Sequence, residues 1–405
     1  MPDELKNQTI GYLIPQFPGQ THIFFWREIA ALEARGVDVA LFSTRSPPAG
    51  LISHEWSQEA MDRTTYLGAI KPLEALKALL SIAPGKWMFD VWREGVGAFK
   101  DVLITLAAAQ TLRDDCARRG ITHVHVHSCG RAALIAMFAQ LMGGPSYSLT
   151  LHGPMSDYGS LQGLKWRHAD FATIITQKLT AEARLQLGND FPDRVALQPM
   201  GVDTDVLKRP TAYIPPKTDA PIQLFACGRL NVVKGHQDLL SAVRNLVDQG
   251  LDIQLEIAGE DDDGGQGYHR ELAAHLADLN LEGNAKLLGA ISAEAVLQKL
   301  TSAHIFILAS WHEPLGVAYM EAMSCGTPTI GTNAGGVPEL IRDGVDGILV
   351  SPQSPKELAN AIQDLISTPS KAESLSVAGR ARIVGQFHSD IGAETLLSLI
   401  NEGPD

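Results

Sequence analysis

The chain has 405 residues, 45% apolar and 20% charged, which is enough for two packed cores and unlike disordered, collagenous or disulfide-scaffold chains. Its formal charge of −13 is unevenly placed: residues 1–200 carry 19 Lys and Arg against 19 Asp and Glu, leaving 14 against 27 for 201–405. Neither half is basic, which argues against a nucleic-acid binder because phosphate-backbone binding needs a cationic surface.

The start, Met1-Pro2-Asp3-Glu4, lacks a basic stretch followed by an apolar one, and no window approaches about 18 uninterrupted apolar residues. A cytoplasmic protein with no spanning helix is expected. Cys116, Cys129, Cys227 and Cys325 are isolated along the chain, so reduced, buried thiols are expected rather than disulfides or a nucleophile.

In chain order, an apolar run at 9–14, a turn Pro15-Gln-Phe-Pro-Gly19-Gln, a helical pattern at 21–35 and a β-rich run at 37–42 make a βαβ unit. Strands at 122–126, 147–151, 171–176 and 195–198 alternate with helical stretches, as in a parallel sheet covered on both faces. Prolines at 210, 215, 216 and 221 interrupt the pattern. A second alternating series has strands at 222–227, 253–258, 285–288, 305–308, 328–331 and 347–350. The expected domains are 1–207, a linker 208–221, a second domain 222–386, and a tail 387–405 that either caps the second domain or crosses back to the first. Two doubly wound α/β domains facing across a cleft place ligands at the carboxyl ends of their strands.

Two loop motifs stand at such ends. In Ser310-Trp-His-Glu313-Pro-Leu315-Gly316-Val-Ala-Tyr-Met-Glu321, a strand ends, Gly316 opens a helix whose free N–H groups suit a phosphate, and Glu321 lies about two turns from Glu313. Two carboxylates so spaced can hold separate hydroxyl groups of one elongated ligand. In Cys227-Gly-Arg229-Leu-Asn-Val-Val-Lys234-Gly235, an Arg and a Lys can converge on one anion and neutralise a diphosphate leaving group. In the first half, Thr150-Leu-His152-Gly153 ends a strand and puts His152 at a site-facing position.

These motifs resemble the retaining family 4 glycosyltransferases of the GT-B fold. The family's Glu-x7-Glu element followed by a Gly-x-Pro strand corresponds to Glu313, Glu321 and Gly326-Thr-Pro328, and its Gly-Arg-Leu-x-x-x-Lys-Gly element is matched at all specified positions. The resemblance implies that Glu313 lies beside the donor sugar, Glu321 binds the ribose, Leu315 and Gly316 contact the diphosphate and sugar, and Arg229 and Lys234 hold the diphosphate. It implies that His152 contacts the sugar near the reacting carbon. The stretch from Gly19 to Ile29 resembles exopolysaccharide-type members, with Gly19 standing alone where many members place a double-glycine loop beside the donor. The implied catalytic set is His152, Arg229, Lys234 and Glu313.

Three constellations have plainer readings. His123-Val-His125-Val-His127 places three imidazoles on one strand face, but no carboxylate stands beside them in sequence, so a His-rich strand end on the acceptor side, with His127 last, is favoured over zinc. Asp261-Asp262-Asp263 is read as a solvated acidic loop, not a metal-binding Asp-x-Asp, and neither metal nor separate cofactor is expected. The stretch 71–100, with Lys71, Lys77, Lys86, Arg93 and Lys100 against Glu74, Asp90 and Glu94, and with Trp87 and Trp92, has the composition of a helix resting on anionic lipid or one packed on its own domain.

The expected activity is retaining, metal-independent transfer of a hexosyl group from a nucleotide sugar, UDP-hexose first, to a hydroxyl of a membrane lipid or lipid-linked saccharide by a protein peripheral to the inner face of the cytoplasmic membrane. Alternatives are a soluble acceptor, a UDP-sugar epimerase or other GT-B enzyme, and a solute receptor, which would need export.

Overall fold

The computed structural model describes residues 9–19, 22–47, 55–68, 72–217, 219–261 and 265–403. The chain divides into two compact units, the first comprising 1–199 and 392–405 and the second 200–391. Each is an all-parallel sheet between helices.

In the first unit the strands are β1 (Thr9–Gln16), β2 (Asp38–Arg45), β3 (Thr65–Tyr66), β4 (His123–Val126), β5 (Ser146–Leu151), β6 (Ala172–Ile174) and β7 (Val195–Leu197), in the order β3-β2-β1-β4-β5-β6-β7. The chain starts mid-sheet, winds outward one way to β3, and returns across the centre to β4. The strand order therefore reverses beside β1 and β4, the place where doubly wound sheets leave a crevice at their carboxyl ends. β3 has no periodic pattern to announce it: it is two residues long and pairs only through Phe42 with Thr65 and Ser43 with Tyr66.

Continuous apolar runs make these strands because both sheet faces are covered. Ile10, Tyr12, Ile14, Val39 and Leu41 form one cluster with Phe25, Ile29 and Leu32 of the helix Ile23–Glu33 and with Ala393, Leu396 and Leu397 of the helix Ser389–Asn401. The tail thus belongs to the first unit's core. On the 71–100 stretch the chain forms helices Pro72–Ser81 and Lys86–Glu94, followed by Val96–Arg119; Lys71 lies outside the described residues. None of the helices among the described residues is long and apolar enough to cross a membrane.

The second unit has β8 (Ile222–Cys227), β9 (Ile253–Ala258), β10 (Ala285–Gly289), β11 (Ile305–Ile307), β12 (Thr329–Thr332) and β13 (Ile348–Val350), ordered β10-β9-β8-β11-β12-β13. It repeats the same winding, with the reversal between β8 and β11. The proline-rich stretch 208–221 is strapped onto this unit: the Arg209 guanidinium donates to the Thr301 carbonyl and, at 3.1 Å, to Thr327 Oγ1, and Tyr213 Oη donates to the His304 carbonyl at 2.9 Å.

Candidate active site

The second unit's site is built from the turns that follow β8 and β11, its two reversal strands. After β8 the backbone is tied to the next strand's end, Gly228 N donating to Ala258 O at 3.0 Å and Leu230 N to Glu260 O at 3.0 Å. The Asn231 side chain caps the following turn by accepting from Lys234 N at 3.2 Å. Gly235 has φ +67, and a Cβ there would lie 1.9 Å from Ala309 O, so this turn packs directly on the end of β11. Trp311 N closes the contact by donating to Val233 O at 2.7 Å.

The consequence is a pair that 79 positions of chain separate: Lys234 Nζ donates to Glu313 Oε2. Both side chains are mostly buried, and Ser310 Oγ supplies a weaker contact to the same oxygen at 3.4 Å. Glu313 is also fixed from behind, because Gly336 N donates to its carbonyl at 2.9 Å. Gly335, at φ +64, approaches so closely that a Cβ would lie 2.0 Å from that carbonyl oxygen. Gly335→Ala is therefore expected to push the Glu313 loop off β12 and destabilise the unit by about 2 kcal/mol or more, through left-handed strain plus overlap. Thermal melting would show this as a drop of several degrees, accompanied by loss of turnover.

The second acid arrives from the helix Val317–Ser324, opened by Gly316 at φ +97. Tyr319 anchors that helix: its Oη donates to Leu308 O at 2.8 Å, and Gly331 leaves room for its ring. Leu315 is buried, whereas Glu321 is half-buried. Burial, followed by the charge of Glu321, pushes the Cys227 thiol up to about 12. Arg229 is exposed two residues further on. His236, fully buried, lies against the Arg229 backbone, and burial together with the Lys234 charge pushes its imidazole down to about 4. The two motifs therefore meet through Lys234 and Glu313.

The arrangement offers cations and free helix N–H groups to an anion, and carboxylates to hydroxyl groups, within one loop cluster. Residues 214–382 match the family model described as Glycosyl transferases group 1. This segment is similar to the group 1 glycosyltransferases. Among curated proteins, one relative in sequence is spore coat protein SA of Bacillus subtilis, 31% identical over 44% of this chain and 48% of that protein, so the match spans about half of its length. A longer match is the GDP-mannose-dependent monoacylated alpha-(1-6)-phosphatidylinositol monomannoside mannosyltransferase of Corynebacterium glutamicum, 25% identical over 75% of this chain and 82% of that one. Among solved structures, HepE of Anabaena in complex with UDP-glucose superposes with a TM-score of 0.73 at 18% identity, covering 97% of this chain and 99% of that chain. That likeness confirms the GT-B fold: two Rossmann-like α/β domains.

In the first unit, His152 follows β5, and His127 follows β4. They meet: His127 Nδ1 lies 3.1 Å from His152 Nε2. The sequence suggested no carboxylate partner for the histidine run, but Glu28 of the helix Ile23–Glu33 lies 3.0 Å from His127 Nε2 and within reach of His125. The folding of that helix onto β1 and β4 brings it there, and its signal was visible only as a glutamate three and four places after Phe25 and Phe24 on one helix face. His125 is already engaged, its Nδ1 at 2.8 Å from Ser148 Oγ and its Nε2 at 2.8 Å from Thr150 Oγ1, while His123 bridges Ser146 and Ser148. Gly19 sits against His22, whose N–H donates to its carbonyl at 3.0 Å.

Two expectations change. Asp261 is no free acidic group: its carboxylate accepts backbone N–H donors from Gly265 at 2.7 Å, Gly267 at 3.0 Å and His269 at 2.8 Å, organising the loop before the helix Tyr268–Asp278; Asp262 and Asp263 lie outside the described residues. Trp87 is turned inward, only 9% exposed, with its indole N–H on Ala83 O at 3.1 Å and its ring edge-to-face with Phe138. It belongs to the core rather than to a lipid-facing surface. Lys86, Trp92 and Arg93 are exposed, Trp92 at 77%.

Proposed function

We propose that this protein is a glycosyltransferase that moves a hexosyl group, with retained configuration, from a nucleotide sugar to an acceptor hydroxyl. The observation that carries this is the meeting of Lys234 with Glu313 beside the Gly316 helix start, in a segment that matches group 1 glycosyltransferases. UDP-hexose is the favoured donor, in keeping with the UDP-glucose bound by HepE.

Lys234 and Arg229, with the Gly316 helix start, hold the diphosphate and stabilise the charge that develops as the sugar C1–O bond breaks. Glu321 accepts ribose hydroxyls, and Glu313 and His152 orient the sugar. The acceptor oxygen bonds to C1 on the same face, and its proton passes to the departing phosphate oxygen. No metal is needed in this scheme because the cations are side chains. Binding of UDP is expected to survive EDTA, and Arg229→Ala and Glu321→Ala should each weaken it about tenfold or more, measured by calorimetry. Unchanged affinity in both variants would remove the assigned site.

The favoured acceptor is a membrane lipid or a lipid-linked saccharide. Leu73, Leu76, Leu80, Met88, Phe89, Trp92, Val96 and Phe99 are each at least half exposed, a large apolar surface for a folded domain. Lys77, Lys86, Arg93 and Lys100 are exposed on the same helices, while Asp90 is buried and held by Arg167 at 3.0 Å. Aromatics among cations suit an anionic bilayer surface. Phe89→Ala with Trp92→Ala is expected to weaken sedimentation with anionic vesicles by about tenfold or more without lowering the melting temperature. Wild-type protein that ignores such vesicles, while glycosylating a soluble acceptor, would turn the reading to that alternative.

A further inference from the structure

We propose that Glu28 and His127 are positioning residues that hold His152 in a single tautomer, with its proton on Nε2 and a bare Nδ1 that accepts a hydrogen bond from a substrate hydroxyl. The proposal rests on the reading of His152 as a substrate contact. It assigns a task to a buried cluster that the transfer scheme otherwise leaves unused.

The order of protons follows from one end. Tyr12 Oη donates to Glu28 Oε2 at 2.5 Å, so that oxygen is an acceptor. His127 Nε2 lies 3.0 Å from the same oxygen, a charge contact off the axis of a straight hydrogen bond. A ring lone pair at this distance from a carboxylate oxygen is repelled and a ring N–H is attracted, so His127 carries its proton on Nε2. Its Nδ1 is then bare. It lies 3.1 Å from His152 Nε2, and two bare nitrogens do not approach so closely; His152 must donate here and carry its own proton on Nε2. What remains is His152 Nδ1, a buried lone pair with no hydrogen-bond partner among the described residues. A buried polar atom in that state calls for a partner that arrives from outside.

The rings are neutral and held in place. Burial pushes both His127 and His152 down to about 3; for His152 the charge of His127 and of His22 adds to this, and that of Glu28 opposes it. The imidazolium forms, in which both nitrogens donate, are thereby set aside at neutral pH. His152 is boxed by Phe24 and Phe25, each 5.6 Å between centroids, and stacks on His127 at 5.4 Å, so turning the ring over requires opening the box. His123 and His125 differ in kind. Their hydrogen-bond partners are hydroxyls, which give or take a proton equally well, and the nearest carboxylate to His123, that of Asp170, is more distant at 3.7 Å.

The test uses full-length protein labelled with 15N-histidine, with two-bond ring spectra recorded without ligand at pH 7.5. The expected result is His152, assigned by loss of its signals in His152→Gln, protonated at Nε2 and bare at Nδ1. Tyr12→Phe should leave this unchanged, whereas Glu28→Gln, which can donate toward His127, should give a mixed or reversed pattern. UDP release from UDP-hexose should fall about 10- to 100-fold in Glu28→Gln, mainly in kcat, with UDP affinity unaltered. A wild-type His152 protonated at Nδ1, or a Glu28→Gln spectrum identical to wild type, overturns the proposal. Failure of the wild type to bind UDP instead overturns the glycosyltransferase reading, and the tautomer measured without ligand is independent of it.

Discussion

Lys234→Ala is expected to lower turnover of a UDP-hexose by about 10²- to 10³-fold, the size of effect that follows removal of one preorganised group from a developing negative charge. The same substitution has a structural consequence that must be separated from the catalytic one. Glu313 is 8% exposed, and Lys234 is its ion-pair partner. Removing the cation strands a carboxylate, which costs about 3 kcal/mol at a fully buried site and less here because some solvent reaches the pair. The double variant Lys234→Ala with Glu313→Gln separates the two. A neutral amide no longer needs the cation, so the melting temperature should return most of the way to wild type while turnover stays low. If the double variant binds UDP as tightly as Glu313→Gln alone, Lys234 is only Glu313's counter-ion and the diphosphate is held elsewhere. Glu313→Gln alone should keep UDP affinity near wild type and lose turnover, because its assigned contact is to the sugar and not to the nucleotide.

The sequence made the second unit's site legible because its residues sit in two short loops, each at the end of a strand that its apolar run announces. Arg229 and Lys234 are five positions apart, as seen from one turn, and Glu313 and Glu321 flank one helix start; local spacing carries most of the geometry. What spacing could not tell is that Lys234 and Glu313 meet, because Gly235 against Ala309 and Gly335 against Glu313 bring the loops together through backbone contacts. In the first unit the relation was reversed. His127 and His152 were visible as strand-end histidines, but the carboxylate that orders them comes from a helix nearly a hundred positions earlier. Trp87 shows a different limit. Its composition is equally fit for lipid or core, and only the place of Phe138 on the neighbouring helix decides the matter.

The first unit is expected to be the acid-sensitive part of the molecule. His123 is pushed down to about 4 by burial and the charge of Arg194, His127 and His152 to about 3, and His125 well below the ordinary imidazole range. All four stay neutral in the folded state at pH values where the unfolded chain, with ordinary imidazoles near 6.5, takes up protons. Below that value the unfolded state binds more protons than the folded one, so their contribution to stability, fully present above about 6.5, is lost progressively as the pH falls toward 4 and then 3. Each imidazole adds about 1.4 kcal/mol per pH unit to the slope, so four together reach about 5.6 kcal/mol per unit at most. The second unit holds His236 in the same condition, pushed down to about 4, so its dependence should be shallower. Thermal melts between pH 7.5 and 5, above the range where carboxylates titrate, should show the first unit's transition falling steeply and separating from the second's. His123→Gln should flatten the slope by close to one proton, since an amide can replace ring contacts to Ser146 and Ser148 without titrating. A melting temperature that stays constant from pH 7 to 5 would mean that solvent reaches these rings in the folded state, and the neutral Glu28–His127–His152 order would lose its basis.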